Sequence, residues 1–344
     1  MTATLTHMRA EIDESGEAIA RQLASDAGRI DRLGTKLRSL DPPVLTTIAR
    51  GSSDCCALYL KYLAEIVVGI PCASIGPSIA TLYGAPLHLS RAVAVSISQS
   101  GRSPDIVEMQ RSARKAGAMT IAMVNEVDSP LATEAEDLLP LLAGREQSVA
   151  ATKSMIAGLV AGAALVAAWR GDASLRAAVE GAPAILPARS PPPPDALVER
   201  LARAQNAFVL GRGATYAVAT EAALKLKETC AIHAEAYSSA EVLHGPAELA
   251  RPGFLVIAFM PTDAGRDGME MSLRLLAAAG ADVVRVDTSG DDGADRLASL
   301  TAASPLLTPI AMIHRFYGLA EAVSRRLGRN PDHPRNLHKV TETV

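Results

Sequence analysis

The chain repeats itself at a nearly constant distance, and that limits its fold more than any single motif does. Ile48–Ser53 reads IARGSS and Leu210–Thr215 reads LGRGAT, with Gly51 and Gly213 standing 162 positions apart (213 − 51). Ala116–Asn125, AGAMTIAMVN, is matched by Ala279–Thr288, AGADVVRVDT, at 163 positions (279 − 116). Between them, Gly101 of AVAVSISQSGRSPD is matched by Gly265 of FLVIAFMPTDAGRD at 164 (265 − 101). Fixed-offset self-similarity signals a duplicated structural unit. Each copy alternates a short apolar run, a Gly/Ser turn and an amphipathic stretch, the pattern of βαβ units in a parallel sheet covered by helices. PARSPPPPD (Pro187–Asp195) separates the copies, and its four consecutive prolines favour a stiff extended connector. The expected fold is therefore α/β, with two tandem domains. A helical N-terminal arm is expected over 1–40, a first domain over 41–186, a Pro-rich linker over 187–195, a second domain over 196–330 and a tail over 331–344.

Composition removes several classes of partner. Aromatic residues make up 3% of a chain that is 49% hydrophobic, so its cores are built from Ala, Leu, Val and Ile. The net charge is −3 and the longest basic cluster, SRRLGR (Ser324–Arg329), reads as the cationic end of a helix, so nucleic acid is not an expected partner. Cys55, Cys56, Cys72 and Cys230 form no CxxC pair; they read as small buried residues in a reducing cytoplasm. The N-terminal stretch has no apolar signal core. Met155–Trp169 is wholly apolar but has fifteen residues where a membrane span needs about 20, so a buried or interface helix is expected and a membrane is not.

SISQSGRSPD (Ser96–Asp105) leaves an apolar run and places serines around a glycine. Ligands of parallel sheets collect beyond the carboxyl ends of strands. Ser98, Ser100 and Ser103 offer hydroxyls, Gly101 permits a tight turn, and Pro104 suits the first turn of a helix whose amides attract an anion. A plain Ser cap beside a Gly turn fits the same ten residues. The second copy has Pro261 and Asp263 in MPTDAGRD, where a phosphate would be repelled. One ligand per pair of domains follows.

In TEAALKLKETCAIHAEAYSSAEVLHGPAEL (Thr220–Leu249), Glu221, Lys225 and Glu228 share a helix face through i+4 and i+3 steps. A solvated ion-pair face has the same spacing. His233, Glu235, Tyr237, Glu241 and His244 follow, bringing base, cation and imidazole into one segment suited to proton transfer beside a carbonyl. His233, Glu235 and His244 suggest a metal set, but an i+2 step on a helix turns the first two apart, so none is expected. The C-terminus, NPDHPRNLHKVTETV, keeps prolines, histidines and Lys339 where a polar frayed tail is the default.

These pieces together resemble the sugar isomerase (SIS) family, most of all the isomerase half of the glutamine–fructose-6-phosphate aminotransferases (glucosamine-6-phosphate synthases). The resemblance runs through MRAEIDESGEAI, ARGSS, GIPC, SQSGRSPD, SVAATK, ALKLKE, HAEAY, LHGPAEL and PRNLHKVTETV in that order. It implies two SIS domains and a sugar phosphate held at the first by Ser53, Ser98, Gln99, Ser100 and Ser103. It implies Glu228 as the base moving a proton between C1 and C2, and Lys225 as the group that steadies it or the enediolate. It implies His244, from a neighbouring subunit, as the ring-opening group, Lys339 as the amine facing the carbonyl, and a homodimer. No metal or organic cofactor is implied.

The sequence departs from the synthase at three places. The synthase's glutaminase domain, with its N-terminal cysteine nucleophile, is not in the sequence read here. Arg102 stands where the synthase typically has Glu. Ala151 in SVAATK replaces a sugar-contacting serine, leaving backbone contacts at Val149. The expected activity is a cytoplasmic SIS-type deaminase converting glucosamine 6-phosphate to fructose 6-phosphate and ammonia. The alternatives are another phosphosugar isomerase, a deaminase or deglycase of another amino sugar, a synthase-type unit, and a non-catalytic sugar-phosphate sensor.

Overall fold

The computed structural model describes residues 5–339, apart from the side chains of Asp26 and Ala27. In chain order the first run of elements is α1 (His7–Asp13), α2 (Ser15–Leu40), β1 (Leu45–Ile48), α3 (Ser52–Leu63), β2 (Cys72–Ser74), α4 (Ser78–Thr81), β3 (Val93–Ser98), α5 (Pro104–Lys115), β4 (Met119–Val124), α6 (Pro130–Glu134), β5 (Asp137–Pro140), α7 (Lys153–Arg170) and α8 (Ala173–Glu180). The second run is α9 (Asp195–Ala202), β6 (Asn206–Gly211), α10 (Ala214–Lys225), β7 (His233–Ser238), β8 (Leu255–Phe259), α11 (Arg266–Ala278), β9 (Asp282–Asp287), β10 (Arg296–Ala298) and α12 (Thr308–Arg326).

The strands form two five-stranded parallel sheets, β2-β1-β3-β4-β5 and β7-β6-β8-β9-β10. The order is the same in both, 2-1-3-4-5 within each repeat, so the duplication read from the sequence is a duplication of topology. Strand order reverses between β1 and β3 in one sheet and between β6 and β8 in the other, the places where such sheets open a crevice for ligands. The chain divides into two compact units. The first holds the β1–β5 sheet with residues 17–146, 153–181 and 338–339; the second holds the β6–β10 sheet with residues 5–16, 147–152 and 182–337.

In the first unit β3 is buried at all six positions, as a central parallel strand covered on both faces must be. Helix α5 forms where Ser103 stands at the N-cap position with no side-chain capping bond, Pro104 opens it, and Arg114 and Lys115 close it with positive charge. Its buried face, Ile106, Met109 and Ala113, packs with Ile48, Ala94, Ala122 and Leu131. Each large aliphatic residue so buried contributes about 1.5–3 kcal/mol. Helix α7 is long and apolar enough to cross a membrane, and 94% of it is buried inside the protein. It packs against α3 so closely that a Cβ on Gly158 would lie 2.8 Å from Cys56 Sγ. Small residues let these helices approach, as the Ala/Gly run requires.

In the second unit β8 is buried throughout and Phe208 of β6 meets Tyr237 and Phe254 edge-on, with ring centroids 5.1 and 4.7 Å away. Arg325 and Arg326 lie in the last turn of α12, the cationic helix end expected from SRRLGR. The Asp332 carboxylate accepts from the amides of His7 and Met8 at 2.9 and 2.8 Å, holding the start of α1. Arg315 donates to the carbonyl of Pro191 at 2.6 Å, so the proline run is fixed by hydrogen bonds as well as stiff.

Two expectations are corrected. His233–Ser238 is strand β7, paired with β6, and not helix. Alternation along a strand then puts His233 and Glu235 on one face, both exposed, where helical geometry had separated them. Cys72 is half-buried because β2 is an edge strand.

Candidate active site

The first unit offers an anion turn. Strands β1 and β3 are register neighbours, Ile48 opposite Ser96, so the loops at their carboxyl ends adjoin. One loop leads through Gly51 into α3, whose first turn carries Ser53; the other is Gln99–Ser103. Ser98 Oγ accepts from the Gly101 amide at 3.0 Å and Ser100 Oγ from the Arg102 amide at 3.3 Å. Each hydroxyl keeps its own proton to donate. The Gln99 carbonyl accepts from the Glu126 amide at 3.1 Å, fixing the loop on its outer side. Gly101 has φ +62°, and a Cβ there would lie 2.2 Å from Ser129 Oγ, so the turn excludes every other residue.

The start of α5 is occupied by a carboxylate. Asp105 is 1% exposed, accepts from the Ile106 amide at 2.9 Å, and receives Arg50 Nε and Nη2 at 3.1 Å each. Arg50 thus offsets the buried charge and links the two adjoining loops. The donors this turn presents include the neutral serine hydroxyls and the Arg50 guanidinium, whose charge Asp105 already offsets. In the second unit the matching turn is different: Asp263 accepts from the Gly265 amide at 2.8 Å, and Arg266 is paired with buried Asp287 at 2.8 Å.

The second unit offers a buried cluster of two carboxylates around one ammonium. Helix α10 continues without a break into a π-turn, Leu226–Cys230, ended by Ala231 at φ +53°. Such widened turns recur at functional sites. Thr229 Oγ1 donates to the Lys225 carbonyl and Ser324 Oγ to the Thr229 carbonyl, both at 2.8 Å, satisfying backbone that the widened turn leaves exposed. Lys225 Nζ hydrogen-bonds the Glu228 carboxylate and lies 3.5 Å from Glu221 Oε1. Tyr317 donates its hydroxyl to that same Glu221 oxygen at 2.9 Å. The side chains of Glu221 and Lys225 are 0% and 1% exposed and Glu228 is 19% exposed, so one ammonium sits between a dry carboxylate and an accessible one. The i+4 and i+3 spacing read from the sequence is realised as contacts, and buried ones. Beside it, burial pushes the Cys230 thiol up to about 11, leaving it inert.

Glu228 and Thr229 open onto a cavity of about 390 Å³ walled by Arg329, Asn330, His333 and Arg335. His244 is not part of that wall. It sits on an exposed turn after β7, its amide donated to the Glu241 carbonyl at 2.9 Å. Val149 donates its amide to the Asp332 carbonyl at 3.0 Å, so that amide is already engaged. Ala151 is half-buried beside it and offers no hydroxyl. Lys339 belongs to the first unit, where it pairs with buried Glu146 at 3.0 Å; Ser154 donates to the same oxygen at 2.8 Å.

Tyr317, Asp332 and the Arg50–Asp105 pair were not singled out from the sequence. Tyr317 lies in an ordinary amphipathic helix and gives no signal. Arg50 stands inside IARGSS and Asp332 inside the unusual tail, so charge next to a recognised motif was the available clue.

A model of the SIS domain matches residues 44–168 and 200–313. Glutamine–fructose-6-phosphate aminotransferase [isomerizing] of Thermus thermophilus is 34% identical over 334 residues, which cover 92% of this chain and 55% of the relative. The chain spans about half the length of the curated relatives it matches. Among solved structures, a proposed phosphosugar isomerase from Silicibacter pomeroyi DSS-3 superposes with a TM-score of 0.86 at 43% identity, covering 95% of this chain and 100% of that one. Glucosamine-6-phosphate deaminase from Thermotoga maritima superposes at 0.76 with 21% identity over 98% and 100% of the two chains, a likeness of fold alone. Two sheets of one topology, each within a matched segment, place this chain in the SIS domain family.

Proposed function

We propose that this chain is a phosphosugar aldose–ketose isomerase acting on an amino sugar, converting glucosamine 6-phosphate and water to fructose 6-phosphate and ammonia. The observation that carries the reading is the Lys225–Glu228 pair, buried on one side and open to a cavity on the other. A carboxylate so held is fixed in orientation, and its exposed edge is available to a carbon-bound proton. In this reading Ser53, Ser98, Gln99, Ser100 and Ser103 hold the phosphate, with Arg50 adding charge. His244 opens the sugar ring and is supplied by a second copy of the chain, in line with its exposed turn away from the Glu228 cavity. Glu228 takes the C2 proton of the open-chain aldehyde and returns it to C1, while O1 gains a proton and the C2 amine gives one up, leaving an alcohol at C1 and a ketimine at C2. Lys225 steadies the negative charge that develops between these steps. Water adds at C2 and ammonia leaves, with Lys339 at the carbonyl end.

The test is ammonia release from glucosamine 6-phosphate, with Glu228→Gln as control. The variant is expected to lose about 10²–10⁴-fold in kcat with little change in KM, as removal of a general base does. No ammonia above background, with turnover of another aldose phosphate, overturns the deaminase reading and keeps the isomerase one. The likeness to the aminotransferases favours a second reading, the synthetic direction. Glucosamine 6-phosphate formed from fructose 6-phosphate and ammonium faster than the reverse reaction would select it.

A further inference from the structure

We infer that Tyr317 is a positioning residue for proton transfer, acting through Glu221 and Lys225 on Glu228. The inference rests on the reading of Glu228 as the base. Lys225 carries one positive charge between two carboxylates, so the share each receives depends on the charge of the other. Glu221 is fully enclosed, and an enclosed carboxylate stays ionised only where donors and cations compensate it. Tyr317, itself 0% exposed, donates to the Glu221 oxygen that faces Lys225. That hydrogen bond favours the ionised form of Glu221. An ionised Glu221 holds part of the Lys225 charge, so less of that charge acts on Glu228. With the hydroxyl gone, Glu221 protonates more readily and the Lys225 charge falls to Glu228, making it a weaker base.

Lys225, Glu221 and Lys227 lie on the helix and turn that carry Glu228, Tyr317 comes from α12, and Arg329, His333 and Arg335 face Glu228 across its cavity. Tyr317 and Glu221 are 96 positions apart in sequence, and Tyr317 is not part of the cavity wall, so removing its hydroxyl leaves the cavity cations in place.

The experiment compares the wild-type chain with Tyr317→Phe, which keeps the ring and removes the hydroxyl. For glucosamine 6-phosphate turnover the expected result is a kcat lowered about tenfold, KM within twofold, and the acidic limb of the kcat–pH profile moved to lower pH. The same limb is read without substrate by carbon-13 NMR titration of the Glu228 carboxylate, assigned with Glu228→Gln. A downward shift of half a pH unit or more in Tyr317→Phe supports the inference even if the substrate proves to be another sugar phosphate. An unchanged Glu228 titration, or a lowered melting temperature and raised KM with the profile in place, overturns it and leaves Tyr317 a packing residue.

Discussion

Two stretches 162 positions apart fold into the same helix and π-turn and carry different chemistry. Gly51 begins α3 with φ 56° and ψ −134°, and Gly213 begins α10 with φ 58° and ψ −135°. The first helix runs into a π-turn at Ala64–Val68 ended by Gly69 at φ 83°; the second runs into Leu226–Cys230 ended by Ala231 at φ 53°. Where the second repeat has Glu221, Lys225 and Glu228, the first has Tyr59, Leu63 and Ile66. Tyr59 and Leu63 are fully buried and Ile66 is 56% exposed, the same inside-to-outside order as the charged trio. The widened turn is thus a property of the repeat and does not by itself make a site. Acid–base chemistry needs the three side chains laid over it. The turns after the third strand of each unit show the reverse arrangement: serines and a left-handed glycine in the first, Pro261 and Asp263 in the second.

The comparison breaks most sharply at the central position of the trio. Lys225→Met leaves Glu221 and Glu228 without their shared cation and is expected to destabilise the protein by about 3–5 kcal/mol in urea unfolding, the cost of breaking a buried ion pair. Leu63→Lys places a cation at the matching site with no carboxylate at Tyr59 or Ile66. A loss of similar size is expected there and no gain of activity. Equal tolerance of both substitutions would show that the charges are not a coupled set.

The helices that pack on the two turns sharpen the contrast through pH. α7 has no ionisable residue between Lys153 and Arg170, whereas α12 carries His314. His314 is held down to about 4 by burial, despite its hydrogen bond to the Ile12 carbonyl at 3.0 Å; Asp13 raises it, and Arg9 and Arg315 lower it further. The unfolded chain takes up a proton near 6.5 and the folded chain does not until about 4. Stability from this group is therefore complete above 6.5 and lost as pH falls through that window, up to about 3 kcal/mol. His314→Asn is expected to flatten that part of the stability–pH curve.

The smallest effect separates the two matching turn glycines. Gly101→Ala meets Ser129 at 2.2 Å and needs φ +62°, and is expected to cost about 2 kcal/mol and to raise KM for sugar phosphates. Gly265 sits at φ −74°, where a Cβ would meet side-chain atoms alone, Arg212 Cγ at 2.9 Å and Asp263 Oδ1 at 3.1 Å, so Gly265→Ala is expected to cost about 1 kcal/mol and leave KM unchanged.

Much of this was legible before any coordinates. Alternating apolar runs and turns fixed the α/β class, and the constant offset fixed the duplication. The positions of Ser98–Ser103 and of Glu221, Lys225 and Glu228 followed from strand ends and from helical spacing. The misreading of His233–Ser238 as helix has a physical cause. HAEAYS lacks the apolar run of a central strand because β7 is an edge strand, exposed along one face, and its pattern fits a polar helix equally well.

Beyond fold class and duplication, what the sequence settled is local: which residues lie a turn apart on one helix, and which turn follows which strand. What only the tertiary structure decided is which distant residues complete those local groups. Tyr317 reaches Glu221 across 96 positions and Arg50 reaches Asp105 across 55. Asp332 gathers His7, Met8 and Val149 from two other stretches of the chain. Periodicity encodes neighbours within an element, whereas these contacts arise only when buried polar groups from separate elements must satisfy one another in the absence of water.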